Sequence, residues 1–284
     1  MRQMRLHYPI PLLSRILRVS ASGFYAWRDR PLSKWAQEEA RLEVAIKAAH
    51  ERTRQTYGAE RLQRELAEDG IRVGICRIKR KLGLRCKQKR KFKATTDSKH
   101  KLPVAENLLK QQFKAYKPNA VWVSDITYVP TDEGWLYLTG HKDLFTSEIV
   151  GYAMGERLTR NLVSQSLLQA VTTRRPEKGL MHHSDRGSQY CSHEYQGLLR
   201  QFGLEVSMSG SGNCFDNAPM ESFWGIIKQE LINHRHYRTR QEAIGDITEY
   251  IEIFYNRQRR QAKLGYLSPV AYAQKYYAGL VLAG

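Results

Sequence analysis

The middle of the chain carries three short segments in which apolar and polar side chains alternate, at 121–129, 135–141 and 149–154. Turn-forming residues separate them. Alternation of this kind predicts β-strands, and the short turns predict that the strands pair as hairpins. Two further apolar segments, 180–184 and 204–208, alternate with helical patterns. The resulting order, β-β-β-α-β-α-β-α, predicts a three-layer α/β fold with a mixed sheet.

Helical spacing of apolar side chains predicts the helices of this region at 160–173, 193–202 and 218–231. Further along, Thr239 precedes Glu242 by three positions, which is a capping-box pattern. It predicts a helix that begins there and runs to about residue 255.

Charge is distributed unevenly along the chain. The 46 Lys and Arg residues exceed the 28 Asp and Glu residues by 18. Residues 1–101 hold 26 basic and 10 acidic side chains, whereas residues 102–284 hold 20 and 18. An excess that only improved solubility would have no reason to concentrate in the first third. The segregation therefore predicts a module that binds a polyanion, with nucleic acid as the usual partner.

The basic third is predicted to be helical. Residues 9–28 fit either a small helix-turn-helix element or a plain helical hairpin. Helices predicted at 37–54, 59–69 and 74–82 are separated by tight turns. Three short helices of this kind fit a helix-turn-helix or winged-helix module.

The segment 77–93 follows as a strongly basic tail, in which ten of 17 residues are Lys or Arg and none is acidic. Contact with DNA phosphates, with release of counterions, is the natural use of such a run, although it could also be a solvated tail. The predicted DNA contacts here are Arg77, Lys79, Arg80, Lys81, Arg85, Lys87, Lys89, Arg90 and Lys91.

These patterns divide the chain into five parts. Between the basic module and the sheet, a linker contains two prolines and one short amphipathic helix near 104–114. The predicted parts are a small helical element (1–35), a basic helix-turn-helix-like DNA-binding module (36–93), the linker (94–118), an α/β core (119–235) and a C-terminal helical segment (236–284).

The four cysteines are far apart in sequence and form no CxxC pair, which argues against a zinc knuckle and a disulfide framework. Reduced thiols in a cytoplasm fit best. The N-terminus makes a poor signal peptide, and no apolar run approaches the length of a membrane span.

Three carboxylates are candidates for metal binding. Asp125 lies inside an apolar strand, where a charge is expensive unless it is paired or bound to metal. Asp185 follows the fourth strand, and Glu221 lies in the first turn of a helix. Such oxygen ligands suit two Mg²⁺ or Mn²⁺ ions, which can promote phosphodiester chemistry.

Other acidic and histidine residues are weaker candidates. Asp143 fits a turn, Asp216 fits a cap or a loop hydrogen bond, and Glu230 points away from Glu221 around the helix. His182, His183 and His193 match no standard zinc spacing. The histidine pair beside Asp185 is expected either to support the metal ligands or to contact substrate.

Four motifs carry a resemblance to a known family: WVSDITYV (122–129), HSDRGSQY (183–190), GNCFDNAPMESFWGIIKQE (212–230) and YNRQRRQAKLGYLSPVAY (255–272). They resemble the OrfB product of bacterial insertion-sequence transposases encoded in two overlapping frames. In this sequence 35 residues separate Asp185 from Glu221. These proteins and retroviral-type integrases share a signature of two aspartates and a glutamate, with a spacer of that length before the glutamate. The resemblance covers almost the whole chain.

The resemblance implies a ribonuclease H-like catalytic core in which Asp125, Asp185 and Glu221 bind the metal ions. It also implies that Lys228, two helical turns after Glu221, grips terminal DNA, although it could be a solvated surface lysine. Arg186 is a further expected DNA contact. Gln261 stands where similar proteins often have His.

The resemblance further implies a homo-oligomer on DNA, and a partner or fused segment from the upstream frame, OrfA, because this chain has no heptad pattern of its own. The segment 255–260 is expected to cap a C-terminal helix and to add phosphate contacts, and Gly210, Gly212 and Asn213 suit a mobile active-site loop.

The sequence leaves two other functions open. A catalytically silent DNA-binding regulator would use the basic module without the carboxylates. A plain nuclease of the ribonuclease H type would cut DNA without joining it, but it would not need the long basic module.

Overall fold

The structure is a computed structural model that describes residues 1–83, 104–210 and 214–283. Within these residues, five strands form one mixed sheet in the order β3-β2-β1-β4-β5. β1 pairs antiparallel with β2, which pairs antiparallel with β3, whereas β4 and β5 run parallel to β1. The predicted sheet is confirmed, with strands β1 Val121–Thr131, β2 Gly134–Asp143, β3 Ile149–Gly155, β4 Met181–Ser184 and β5 Glu205–Met208.

Helices cover both faces of the sheet because successive strand side chains point to opposite sides. Trp122 packs in one buried cluster with α6 (Arg160–Arg174) and α7 (His193–Gln201). Its neighbour Val123 packs in the other cluster, with α8 (Ala218–Glu230). The fold is therefore the expected three-layer α/β arrangement.

One glycine permits the closest contact between the sheet and α6. A Cβ atom at Gly151 on β3 would lie 2.6 Å from the Cβ of Ala170 and 2.6 Å from the carbonyl oxygen of Ser166. Any larger residue at this position would push the helix away from the strand, so glycine is required by packing.

The C-terminal segment begins with α9 (Arg240–Glu249), and both hydrogen bonds of the predicted capping box between Thr239 and Glu242 are present. The predicted helix to about residue 255 is present, but it is α-helical only as far as Glu249. A π-helical segment, Tyr250–Gln258, continues it, and α10 (Pro269–Ala283) follows.

The N-terminal third contains α1 (Ile10–Leu17), α2 (Ala21–Arg28), α3 (Lys34–Arg52), α4 (Ala59–Glu68) and α5 (Ile75–Leu82). After α4, Gly70 has a φ of 77°, which the other residues rarely adopt, and the chain reverses there. Buried side chains of α3, α4 and α5 pack together, so these helices form the predicted helix-turn-helix arrangement.

This module is docked against the C-terminal segment. Arg260 donates from Nε to Glu65 at 2.9 Å and also bonds to Glu68, and its backbone N–H donates to the Tyr57 hydroxyl at 2.6 Å. Buried Leu62 of α4 belongs to the same hydrophobic cluster as Phe254 of the π-helical segment. The basic module and the half that contains the sheet therefore share one core.

The predicted helix near 104–114 is wrong. The backbone N–H groups of Leu108 and Leu109 donate to the Ser207 hydroxyl, and the N–H of Met208 donates to the carbonyl of Glu106. The segment lies along β5 instead, because these contacts with a distant part of the chain replace bonds within a helix. None of the described helices has the length and apolar character needed to cross a bilayer.

Candidate active site

Asp125 and Asp185 stand side by side at matched positions of neighbouring parallel strands. Ser124 of β1 pairs with Ser184 of β4, and each aspartate is the next residue along its strand direction. Paired strands lie about 4.8 Å apart, so the two aspartate backbones are close neighbours. The predicted proximity of these two residues follows directly from the register of β1 and β4.

The Asp125 carboxylate is held by the helix that packs over it. Trp224 of α8 donates from its indole Nε1 to Oδ2 of Asp125 at 3.1 Å. Gly140 of β2 pairs with Asp125 across the hairpin. A Cβ there would lie 3.3 Å from the Trp224 ring, so the absence of a side chain at this position leaves room for the indole.

The Asp185 carboxylate is held by the loop that follows β4. Its Oδ1 accepts a hydrogen bond from the Gly187 backbone N–H at 2.8 Å. The next residue, Arg186, donates from Nε to the carbonyl of Ser209 at 2.6 Å. This guanidinium therefore ties the loop after β4 to the loop after β5, and its predicted contact with DNA remains a prediction.

Glu221 lies in the first turn of α8, and two bonds anchor this end of the helix to the sheet. The Asn217 side-chain amide donates to the carbonyl of Ser124 at 2.9 Å, and Lys142 donates from Nζ to the carbonyl of Pro219 at 3.0 Å. Glu221 itself is exposed, and partial burial raises the pKa of its carboxyl.

The carboxylates of the site repel one another. Burial is the main cause that raises the pKa of Asp125 well above its ordinary value, and the negative charges of Asp185 and Glu221 raise it further. The hydrogen bonds from the Ile126 N–H and Trp224 oppose this shift. Glu221 is thus near enough to Asp125 to repel it.

As their side chains stand, no three His, Cys, Asp or Glu residues of the described ranges are grouped closely enough to hold a metal ion. The convergence of the three carboxylates on metal ions therefore stays a prediction. The donor set nevertheless fits a hard divalent cation, because it consists of oxygen atoms that repel one another in a partly buried place. In addition, the buried Oδ1 of Asn217 has no hydrogen-bond partner among the described residues.

Comparison with known proteins agrees with this geometry. Family models described as integrase core domain match residues 115–214 and 221–276, and a model described as HTH-like domain matches residues 36–92. The transposase InsF of insertion sequence IS3A from Escherichia coli K12 is 40% identical over 276 residues, which cover 95% of this chain and 96% of InsF. The chain belongs to the IS3 family of transposases.

A second relative of the transposase, the uncharacterized 31 kDa protein of insertion element IS600 from Shigella sonnei, is 56% identical over 93% of this chain and 98% of its own length. Among solved structures, a chain of the simian T-cell lymphotropic virus intasome in complex with PP2A regulatory subunit B56 gamma has a TM-score of 0.49 at 16% identity, covering 74% of this chain and 70% of that one. The HTLV-2 integrase catalytic core domain in complex with magnesium has a TM-score of 0.45 at 16% identity, covering 56% and 99%. The fold is the expected ribonuclease H-like integrase fold.

The basic residues of α5 fall into two groups. Arg77 and Lys81 both form ion pairs with Glu39 of α3, so they join helices within the module. Lys79 and Arg80 are exposed and lie on the outward side of α5. Of the predicted DNA contacts, Arg85, Lys87, Lys89, Arg90 and Lys91 lie outside the described residues, as do Gly212 and Asn213 of the predicted loop.

The weaker acidic candidates have structural roles. The Oδ2 of Asp143 accepts bonds from the N–H and hydroxyl of Thr146, which closes the turn after β2. Asp216 accepts bonds from the Asn107 side chain and from the Gly210 N–H, among others, and so fixes the loop after β5. Glu230 forms a buried ion pair with Arg259 and points away from the site.

The histidine pair cannot touch substrate, because both side chains are fully buried. His182 bonds through Nε2 to the Tyr195 hydroxyl at 3.0 Å, and His183 bonds through Nδ1 to the Ser207 hydroxyl at 2.8 Å. Burial lowers the pKa of His182 to about 3 and that of His183 to about 4, so both rings are neutral. They organise the core behind the aspartates.

The predicted phosphate contacts in 255–260 are wrong for its two last residues. Arg259 is buried against Glu230, and Arg260 is paired with Glu65 and Glu68. Both guanidinium groups form ion pairs with carboxylates that are far away in the sequence. Gln261 is buried as well and forms an isolated β-bridge with Leu267.

Sequence reasoning missed two residues that position the site, Trp224 and Lys142. For Trp224 a signal existed, because it lies three residues after Glu221 and so on a neighbouring part of the same helix face. Nothing in the sequence marked Lys142, since its bond to Pro219 joins residues that are far apart in the chain.

Proposed function

We propose that this IS3-family transposase cleaves DNA at the ends of its insertion sequence and joins the freed 3′-hydroxyl to a second DNA site. The reaction depends on two divalent cations, Mg²⁺ or Mn²⁺, bound by Asp125, Asp185 and Glu221. The observation that carries the proposal is the register of β1 and β4, which puts Asp125 and Asp185 next to each other beneath a helix that carries Glu221.

The electrostatics of Asp125 support metal binding. Burial and two neighbouring carboxylates disfavour its ionised form, and a divalent cation would remove that penalty. Glu221 is exposed at the end of an anchored helix, so its side chain can rotate toward the aspartates without moving the backbone. Two cations, when bound, activate the attacking oxygen and stabilise the departing one.

The protein residues act by positioning. Trp224 and Gly187 orient the two aspartates through single hydrogen bonds, and Lys142 and Asn217 fix the helix that carries Glu221. In the first step, a water oxygen attacks the scissile phosphorus and the 3′-oxygen leaves. In the second step, the oxygen of that 3′-hydroxyl attacks the phosphorus of another phosphodiester, whose own 3′-oxygen leaves and takes up a proton. One site can serve both steps because only the nucleophile changes.

The basic module supplies binding to the element ends. Lys79 and Arg80 are exposed on α5, the second helix of the helix-turn-helix pair, which in such modules enters the major groove. Lys228 and Arg186 would contact DNA next to the carboxylates. Joining both ends of an element requires two active sites, so we expect two or more copies on the DNA, with the OrfA product as a further partner.

Strand transfer with labelled end DNA and Mg²⁺ tests the proposal. Asp125→Asn, Asp185→Asn and Glu221→Gln should each lower the yield of joined product by on the order of 10³-fold, since metal catalysis contributes several kcal/mol. Each variant should still bind end DNA. Glu205→Gln is the matched control, because Glu205 is an exposed carboxylate at the opposite end of β5 from the site.

The same assay distinguishes the other two functions. A plain nuclease would release fragments without any joined product. A silent regulator would bind the ends with neither cleavage nor joining at any concentration of Mg²⁺ or Mn²⁺. Either result would rule out strand transfer by this chain.

A further inference from the structure

Two aromatic rings stand at the β1–β2 hairpin beyond Asp125. The rings of Tyr128 and Trp135 meet at a centroid distance of 4.7 Å and an interplanar angle of 82°. Trp135 is 48% exposed, so its ring is accessible to a ligand. The strand direction carries the chain from Asp125 to Tyr128 in three residues, or about 10 Å. Alternation along β1 puts the Tyr128 side chain on the face opposite to that of Asp125, so the link between the pair and the proposed active site is Lys228 of α8.

The hairpin that carries Trp135 is anchored rather than loose. Arg240, the first residue of α9, donates from Nε to the carbonyl of Trp135 at 3.1 Å and from its backbone N–H to Glu133 at 2.8 Å. The N–H of Asp132 donates to the carbonyl of Tyr237 at 3.0 Å. These bonds hold the exposed indole at a fixed place, so it can present a preformed surface to a ligand.

Lys228 connects this surface to the carboxylates. Its Nζ lies 5.2 Å from the centroid of the Tyr128 ring, within range of a cation–π contact. It also interacts electrostatically with Asp125. The acidic site, the Lys228 ammonium group and the two aromatic rings are therefore neighbours in that order. This order suits a nucleotide, in which a phosphate is joined to a flat base.

We propose that Tyr128 and Trp135 form a stacking surface for an unpaired DNA base next to the scissile phosphate, and that Lys228 contacts a phosphate of the same strand. This inference rests on the proposed strand-transfer function and names the part of the DNA that the site receives. Aromatic stacking accepts any base, because every base has a flat π-face. The surface therefore positions the frayed end of the element without reading its sequence.

The acidic residues of the hairpin do not prevent the approach of DNA. Asp132 is paired with His236 at 3.2 Å, and Glu133 accepts the bond from the Arg240 N–H. Both carboxylates thus have hydrogen-bond partners at the turn, whereas the positive charge of Lys228 faces the aromatic side. Charge complementarity favours a nucleic acid over a second copy of this basic chain as the occupant.

Fluorescence of 2-aminopurine in a short single-stranded overhang at the end of duplex DNA tests the proposal with the full chain. Stacking on the wild-type protein should change this fluorescence, and Trp135→Leu should abolish the change and weaken overhang binding by about tenfold. Trp135→Phe should restore both. Trp35→Leu is the matched control, since Trp35 of α3 is 67% exposed and lies outside the hairpin.

A blunt duplex separates stacking from general DNA binding, because its affinity should be the same for wild type and Trp135→Leu. Loss of blunt-end affinity, or an unchanged 2-aminopurine signal in Trp135→Leu, would overturn the proposal. So would a changed oligomeric state of that variant in light scattering with unchanged overhang binding, which would assign the indole to a contact between copies.

Folding of the variants is controlled in two ways. Circular dichroism measures the folded fraction of each variant, and affinities are compared per folded molecule. Photo-crosslinking through 5-iodouracil in the overhang needs only the wild type. Mass spectrometry should locate the crosslink at Trp135 or Tyr128, and a crosslink elsewhere alone would contradict the proposal. Wild-type cleavage with Mg²⁺ is measured in parallel, so that a failure of strand transfer is distinguished from a failure of stacking.

Discussion

Lys142 offers a test in which stability and activity should change in opposite directions. The residue is the last but one of β2 and has 3% of its surface exposed, and its described hydrogen-bond partner is the carbonyl of Pro219. Burial, aided by the positive charge of Arg259, lowers the pKa of Lys142 from its ordinary value of 10.5 to about 7. The difference between these pKa values corresponds to about 5 kcal/mol of unfavourable free energy in the folded, protonated form.

The pH dependence has a definite sign. Between the folded pKa of about 7 and the unfolded value of 10.5, the unfolded chain binds more protons at this position than the folded chain does. The free energy of unfolding of the wild type therefore rises with pH across this window. Below about pH 7, the full free-energy cost of burying the protonated Lys142 amine remains. Above pH 10.5 that cost disappears, because the amine is neutral in both the folded and the unfolded chain.

Lys142→Met removes this cost but leaves the carbonyl of Pro219 without its donor, a loss of about 1–3 kcal/mol. The variant should thus be more stable than the wild type by about 2–4 kcal/mol at pH 6, and less stable by about 1–3 kcal/mol near pH 10.5. Strand transfer should fall even at pH 7, because Pro219 begins the helix that carries Glu221.

Urea unfolding followed by circular dichroism at pH 6, 8 and 10.5 measures the effect. Lys47→Met is the matched control, since Lys47 is an exposed lysine on α3, and its stability difference should not reverse with pH. A Lys142→Met variant that is less stable than the wild type at pH 6, or whose difference does not change with pH, would refute the reasoning from burial.

Three further predictions concern DNA binding, the aspartate loop and a buried ion pair. Lys79→Ala with Arg80→Ala should weaken end-DNA binding in fluorescence anisotropy and reduce the salt slope by about 0.9 per lost phosphate contact, whereas alanine at the two ion-paired basic residues of α5 should change the slope less. Gly187→Ala would put a Cβ 3.0 Å from the neighbouring aspartate oxygen, so strand transfer should fall by about tenfold or more and need more Mg²⁺. Glu230→Gln should lower the free energy of unfolding in urea by about 3 kcal/mol, because it leaves Arg259 buried without a counter-charge, but activity per folded molecule should persist.

The core could be predicted from the sequence because its signals are local. Alternation and turn residues located all five strands, and the capping box at Thr239 located the start of α9. The neighbouring positions of Asp125 and Asp185 then follow from parallel pairing of β1 and β4. Each of these inferences needs only a few consecutive residues and the geometry of a strand or helix.

What the sequence could not supply are contacts between distant segments. The segment around Leu108 has a helical pattern, but Ser207, 99 residues away, binds its backbone, and no helix forms there. In the same way, Arg77 forms an ion pair with Glu39, which lies 38 residues earlier in the chain. The basic run alone therefore overstates the number of basic side chains that are free to bind DNA. Such partners become visible only when the packed chain is known.

The C-terminal segment explains how a DNA-binding module and a catalytic sheet can act as one body. The Asn256 side chain bonds to both backbone groups of Ile149 and so extends the edge of β3, while Arg260, four residues later, holds α4 through Glu65. One continuous segment therefore fixes the sheet at one point and the module at another. A rigid connection of this kind, in place of a flexible tether, sets the separation between the exposed face of α5 and the carboxylates. Under the proposed function, DNA that spans both is cut at a set distance from its contact with α5.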